Sequence, residues 1–276
     1  MTQRTILITG GGGGVGRMLL DREPRDEWRY VVFDSALTEP HPARKDISVI
    51  QGSITDRDRV HDAMTGVTDV VHLAAFGQEN RWERILDVNV EGTRNVLDAA
   101  CSAGVGRFVY ASSHHAVGYA RPADAPESSL PDDAPPRPDT YYAWSKAAGE
   151  AMTRLYCERF GMKGVAWRIG HCFEQPHSRE RLPLWLSPGD ARRLVDAALT
   201  NDFGLFEYVW GVSANTRSWL SRSGADRIGF SPQDDSEDYA ELFPPGNDDP
   251  GVPLGGGFTT TPLGEPWAGG DNRTAT

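Results

Sequence analysis

Ile6-Leu7-Ile8-Thr9-Gly10-Gly11-Gly12-Gly13-Gly14-Val15-Gly16 runs from a short apolar stretch, through glycines at the three positions of a G-x-x-G-x-x-G turn, into a helical pattern. A glycine run can also be a flexible loop, but here a buried strand precedes it and a helix follows it. That setting needs a tight turn, close approach of backbone N–H groups to a pyrophosphate and a helix start facing the anion. Eighteen residues beyond Gly16, Asp34 ends the run Tyr30-Val31-Val32-Phe33-Asp34. A carboxylate there accepts both ribose hydroxyls and repels a 2′-phosphate, which selects NAD over NADP.

Working outward, β-branched runs alternate with helical patterns, the signature of βαβ units and a parallel sheet. Strands are expected at Arg4–Thr9, Arg29–Phe33, Ser48–Gln51, Asp69–Leu73, Arg107–Ala111 and Gly164–Arg168. Helices are expected at Val15–Asp21, Asp56–Met64, Arg81–Ser102, Thr140–Phe160 and Asp190–Thr200. The fold class is therefore α/β, a Rossmann-type doubly wound parallel sheet. Residues 1–170 are expected to form the dinucleotide-binding domain and 171–276 a small substrate lobe with a Gly/Pro-rich tail. The proline-rich segment Ala120–Asp139 reads as a surface loop, of a length more common in functional lids than in idle connectors. From about Ser231 the chain is too rich in Pro, Gly and Asp to bury much apolar surface alone. It wraps the body, meets another subunit or is partly disordered.

Tyr142-Ala143-Trp144-Ser145-Lys146 opens a helix, and its four-residue spacing puts Tyr142 and Lys146 on one face. An ammonium beside a phenol favours the phenolate, so Tyr142 is expected to take a hydroxyl proton as hydride leaves, with its pKa drawn down from about 10. The spacing alone is common on solvated helix faces. Its place counts for more: downstream of a dinucleotide loop and after the strand ending Phe108-Val109-Tyr110-Ala111-Ser112-Ser113, at the end of the sheet where α/β folds bind ligands. Ser113 is expected to hydrogen-bond the reacting oxygen, while Ser112 reads as a strand-end residue satisfying backbone.

Bulk composition narrows the rest. Of 276 residues, 39% are hydrophobic and 24% charged, as in an ordinary soluble globular chain. The net charge of −11 argues against nucleic acid or an anionic membrane as partner and for a small molecule. The N-terminus lacks a signal-peptide pattern, and no apolar run approaches a membrane span, so the expectation is a cytoplasmic protein. Cys101, Cys157 and Cys172 are too few and too scattered for a disulfide framework or a zinc site and are read as reduced thiols. The histidines at 114, 115, 171 and 177 lack companions at a metal-ligand spacing, so no metal is expected. The sequon Asn272-Arg273-Thr274 has no consequence without secretion. A homo-oligomer is left open.

These motifs resemble the extended short-chain dehydrogenases/reductases of the NAD-dependent epimerase/dehydratase group. The likeness rests on Thr9–Gly16, His72-Leu73-Ala74-Ala75, Asn89-Val90-Glu91-Gly92-Thr93, and Ser113 with Tyr142 and Lys146. Within that group the chain most resembles uronate dehydrogenases, which oxidise the anomeric carbon of hexuronic acids to aldarolactones. Four segments carry this: Ala111–Tyr119, Arg168-Ile169-Gly170-His171-Cys172, Trp185–Asp190 and Val209–Asn215. The resemblance implies that Ser113, Tyr142 and Lys146 are catalytic. It implies NAD contacts from Gly10, Gly13, Val15, Gly16, Asp34, Ser53, Ile54, Leu73, Ala74 and Ala75, as well as Tyr142 and Lys146. Substrate contacts are implied for Ser113, His114, His115, His171, Arg179 and Arg181.

The chain also departs from the family pattern. His114 and His171 stand where asparagine and serine are usual, Gly77 replaces a serine after the fourth strand, and Ser53 replaces an acid at the adenine edge. The carboxylate-binding arginine aligns with Glu180, between Arg179 and Arg181. A carboxylate needs a fixed cation, best a bidentate guanidinium, and Glu180 pointing inward would repel a uronate. Two alternatives to a hexuronate stay open: a related dehydrogenase of a neutral, amino-bearing or secondary-metabolite substrate, and a non-catalytic dinucleotide-binding protein.

Overall fold

The computed structural model describes residues 3–36, 44–125, 129–246 and 251–266. In chain order these form β1 (Arg4–Thr9), α1 (Gly14–Leu20), β2 (Trp28–Asp34), β3 (Ile47–Gln51), α2 (Arg57–Ala63), β4 (Asp69–His72) and α3 (Trp82–Arg84). A π-helical stretch (Ile85–Gly92) continues into α4 (Thr93–Ala103). There follow β5 (Arg107–Ser113), α5 (Tyr141–Phe160), β6 (Lys163–Ile169), β7 (His171–Cys172), β8 (Trp185–Leu186), α6 (Pro188–Thr200), β9 (Phe206–Gly211) and α7 (Ser223–Ile228). The sequon at Asn272 lies outside the described residues.

Seven strands pair in the order β3-β2-β1-β4-β5-β6-β9, every ladder parallel. The period of two along β1 sends Ile6 and Ile8 to one face and Leu7 to the other. On the first face they meet Leu19 and Leu20 of α1 and Leu194 and Ala198 of α6. On the second, Leu7 and Phe108 pack among Val60 of α2, Val96 and Leu97 of α4 and Cys157 of α5. Both faces are thus covered, the condition under which a parallel sheet is stable. Consecutive strands move in opposite directions from β1 and from β4, opening a crevice between their carboxyl ends where doubly wound sheets take a ligand.

The expected helices and strands are present with end shifts of one or two residues, apart from the helix expected at Arg81–Ser102, which carries the π-helical insert. Four elements are additional: β7 and β8, which pair with each other, β9 and α7. β9 lies beyond residue 170 yet extends the main sheet, and α7 packs against it, so the sheet draws on chain from both sides of the expected division.

The segment Ala120–Asp139 differs from the expected surface loop. Ala120, Leu130 and Ala134 are buried in a third apolar cluster with Trp210, Leu220 and Leu254. Leu130 pairs with Leu220, and the Arg168 guanidinium donates to the carbonyls of Asp132 and Ala134 at 2.9 and 3.0 Å. Of the alternatives for the tail, residues 251–266 wrap the body: the Leu254 and Gly255 N–H groups donate to the Ala120 and Gly118 carbonyls, each at 2.8 Å.

Candidate active site

The glycine loop turns at the carboxyl end of β1. Gly10 has φ +69°, and a Cβ there would lie 2.6 Å from the Ala74 nitrogen. A Cβ on Gly16 would lie 2.5 Å from both the Cα and the carbonyl oxygen of Gly11. Neither position tolerates a side chain, and the space so kept open is what a pyrophosphate against backbone requires. Asp34, at the end of β2, accepts from the Gly12 and Ala36 N–H groups at 2.9 and 3.1 Å, which holds its carboxylate beside the loop. Gly13 and Val15 lie at the start of α1, and Leu73, Ala74 and Ala75 follow β4 across the crevice. Ser53 is turned back onto Thr55 with their hydroxyls 2.8 Å apart, and Ile54 is buried against Gly92. The cradle fits a dinucleotide such as NAD.

Three of the motif segments meet at one buried histidine. The Thr93 hydroxyl donates to the Asn89 carbonyl, so it accepts from His72 Nε2 at 3.0 Å, and His72 Nδ1 in turn accepts from Thr9 at 2.6 Å. Burial pushes His72 down to about 3 and keeps it neutral. Asn89 bonds both backbone groups of Phe76 and the Ser145 hydroxyl, joining the π-helical stretch to α5.

Helix α5 begins with Thr140 as its cap, accepting from the Ala143 N–H at 3.1 Å. Its buried stripe runs through Tyr142, Ser145, Lys146, Gly149, Glu150 and Thr153. A Cβ on Gly149 would lie 2.1 Å from the Tyr110 hydroxyl, so glycine there lets the helix approach β5 closely. Lys146 Nζ then reaches the Ala111 carbonyl at 2.7 Å and lies 5.9 Å from the Tyr142 ring centroid. The Tyr142 phenol is not drawn down as the helical spacing suggested: burial pushes it up to about 12, with the Ser113 hydrogen bond and a repelling Asp139 as smaller influences. Burial also pushes Lys146 down to about 8, opposed by Glu150. Loss of water outweighs proximity at this site. Ser112 points the other way, donating to Glu150, which holds Arg168 through two bonds of 2.8 Å.

Beyond Ser113 three histidines stand in contact, with ring centroids 4.0 Å apart for His114 and His115 and 4.9 Å for His114 and His171. The edge of His115 meets Tyr142 at 6.1 Å. A carbonyl only accepts, so His114 Nδ1 donates to Ile169, 3.0 Å away. A guanidinium only donates, so His171 Nδ1 accepts from Arg181 at 3.4 Å. Burial pushes both rings well below their ordinary range, leaving them neutral. Glu180 and Arg181 are both exposed, and Glu180 is bonded to Ser178. Arg181 thus carries the nearby cation to the histidine cluster, while Arg179 packs against Gly246. Among the described residues no group of three or more His, Cys, Asp or Glu is arranged to hold a metal ion, and no helix is long and apolar enough to cross a membrane.

Two residues absent from the motifs complete the site. Asp139 Oδ2 lies 2.7 Å from His115 Nδ1, and Glu79, 1% exposed, accepts from the Tyr142 N–H at 2.9 Å and the Gly264 N–H at 2.7 Å. A carboxylate just before a helix cap is a weak sequence signal for the first. We find none for the second.

A parallel sheet with a glycine cradle at its crevice and a Ser, Tyr and Lys set at the end of β5 defines a nucleotide-dependent oxidoreductase architecture. The model of the NAD dependent epimerase/dehydratase family matches residues 6–220, and the chain belongs to that family. Among individual relatives, the uronate dehydrogenase of Pseudomonas syringae pv. tomato is 34% identical over 268 residues, covering 94% of this chain and 95% of the relative. A solved point mutant of the uronate dehydrogenase of Agrobacterium tumefaciens, complexed with NAD, superposes with a TM-score of 0.85 at 30% identity, covering 95% of this chain and 98% of the other. An NAD-dependent glucose-6-phosphate dehydrogenase of Haloferax volcanii is also 34% identical, over 249 residues, covering 85% of this chain and 95% of the relative.

Proposed function

We propose that the protein oxidises the anomeric carbon of a hexuronate to an aldarolactone, using NAD. The observation that carries this reading is Arg181, which is exposed like Glu180 but whose guanidinium donates to His171 at 3.4 Å, in the histidine cluster beside Tyr142, whereas Glu180 is bonded to Ser178. The cation that sequence alignment withheld is restored one residue later, and a carboxylate finds a guanidinium partner.

The cofactor lies along Gly10, Gly13, Val15 and Gly16, with Asp34 toward the ribose, Ser53 and Ile54 toward the adenine, and Leu73, Ala74 and Ala75 along the other wall. When bound, NAD supplies the acceptor for the hydride. Ser113 donates to the oxygen on the anomeric carbon, and Tyr142 removes that oxygen's proton. Lys146 favours the phenolate and bonds the nicotinamide ribose. Burial raises the phenol to about 12, so stabilisation of its anion falls to the Ser113 hydrogen bond and to Lys146, whose ammonium lies 5.9 Å from the ring centroid. His114, His115 and His171 bind sugar hydroxyls, and Arg181, with Arg179 behind it, takes the carboxylate. Residues up to 170 therefore hold the cofactor, the catalytic groups and part of the sugar site, and those from 171 onward supply the rest of that site.

Purified protein supplied with NAD and glucuronate, galacturonate, glucose 6-phosphate or L-arabinose, followed by NADH absorbance, tests the reading. Expected is a preference in kcat/KM of at least about 100-fold for the uronates, the size of one well-placed ionic contact. A preference for either of the others refutes it.

The reduced cysteines support a cytoplasmic location. The clustered rings of Trp82, Tyr141 and Trp144, with Trp82 and Trp144 exposed, support a homo-oligomer through α3 and α5, which light scattering would detect.

A further inference from the structure

His115 is held from several directions. His114 lies 4.0 Å from it with planes 37° apart, and Phe258 lies 4.2 Å from it with planes 30° apart. His115 is thus in ring contact with both, tilted against His114 and stacked on Phe258. Its Nδ1 donates to Asp139 Oδ2, which leaves Nε2 as its free polar atom. Phe258 comes from the tail, some 140 residues along the chain.

The tail is seated by specific contacts. A Cβ on Gly118 or Gly255 would lie 2.0 or 1.9 Å from Asp139 Oδ2, so two glycines, one from each segment, enclose that carboxylate. Gly255 N–H donates to the Gly118 carbonyl at 2.8 Å, and the Tyr119 hydroxyl donates to the Thr259 carbonyl at 3.2 Å. Farther on, Gly264 N–H donates to Glu79, whose other oxygen accepts from the backbone of Tyr142. One strap therefore touches the partner of His115 at one end and the start of the Tyr142 helix at the other.

We infer that the strap Leu254–Gly264 is a working part of the substrate site, in which Phe258 and Asp139 are positioning residues that fix the orientation and tautomer of His115. With Nδ1 protonated toward Asp139, Nε2 presents a lone pair to a sugar hydroxyl beside Tyr142. This acts on how the sugar is oriented, so its effect falls on KM more than on kcat. It rests on the hexuronate reading for its substrate, but the state of the imidazole can be read without one.

The test compares wild type, Phe258→Ala, Phe258→Tyr and Asp139→Asn. Long-range ¹H–¹⁵N correlation in the cofactor-free protein reads the His115 tautomer, and steady-state kinetics with glucuronate at saturating NAD read the site. Expected are a single Nδ1-protonated tautomer in wild type, mixed tautomers in Phe258→Ala and Asp139→Asn, and wild-type behaviour in Phe258→Tyr. KM in Phe258→Ala should rise about tenfold with kcat within about threefold, the cost of one misdirected hydrogen bond. An unchanged tautomer and KM in Phe258→Ala overturns the inference. So does failure of Phe258→Tyr to restore them, since the strap would then be merely structural. If wild type oxidises no hexuronate while the tautomer still shifts as stated, the substrate reading falls and the positioning role stands.

Discussion

Lys146 donates to the Ala111 carbonyl at 2.7 Å, which ties the helix bearing Tyr142 to the strand that ends in Ser113. That tether places the ammonium in a fully buried position, where its charge is costly and its proton becomes a stability variable.

The folded Lys146 titrates at about 8 and the unfolded residue at 10.5. Between those values the unfolded chain keeps a proton that the folded chain has released, so stability rises with pH through that window. The penalty, up to about 3 kcal/mol, is fully present below it. Tyr142, pushed up to about 12 from 10, acts oppositely: the unfolded chain ionises first and stability falls above pH 10. Melting curves of cofactor-free wild type and Lys146→Met should show the variant ahead at about pH 7 and its lead shrinking by about pH 9.5. A lead that does not change with pH would contradict a charged, buried Lys146.

Tyr142→Phe removes the proton acceptor and its hydrogen bond with Ser113, while the ring and its packing remain. Its kcat on a hexuronate should fall by about 10²–10⁴-fold, the usual contribution of a positioned acid–base group. Near-full turnover at saturating NAD would remove Tyr142 from the chemistry.

Arg181→Ala and Glu180→Ala separate the two neighbouring residues. Both residues are exposed, but Arg181 reaches His171 while Glu180 is bonded to Ser178, so the first should raise KM for glucuronate by about 10–100-fold, while the second stays within about twofold. The reverse ranking would show that the alignment, rather than the observed geometry, describes the bound state.

Glu150 and Arg168 form a pair whose side chains are 2% and 1% exposed. Glu150→Leu strands a buried guanidinium and should cost about 3–5 kcal/mol in chemical denaturation. The double replacement Glu150→Leu with Arg168→Met should cost clearly less than the sum of the two single changes. Additivity would mean the two charges do not compensate one another.

Local patterns carried much of this protein in its sequence. A period of two in the strands, 3.6 in the helices and three glycines before a helix are properties of adjacent residues, so the sheet, the cradle and the Tyr142/Lys146 face were legible without coordinates. β9 was not: Phe206–Gly211 is a short run amid Trp and Gly punctuation, and its place at the sheet edge comes from pairing with β6. The sign of the Tyr142 shift was also hidden, because spacing reports proximity while burial depends on everything packed around the ring. Whether Glu180 or Arg181 turns inward is a matter of side-chain direction within one turn, which alignment does not resolve. The partnerships of Asp139 with His115, Glu79 with Tyr142 and Phe258 with His115 join segments from 24 to more than 140 residues apart. The sequence determined the scaffold and the chemistry it can hold. The tertiary structure decided which buried groups face one another, because that depends on long-range docking of segments with no periodicity of their own.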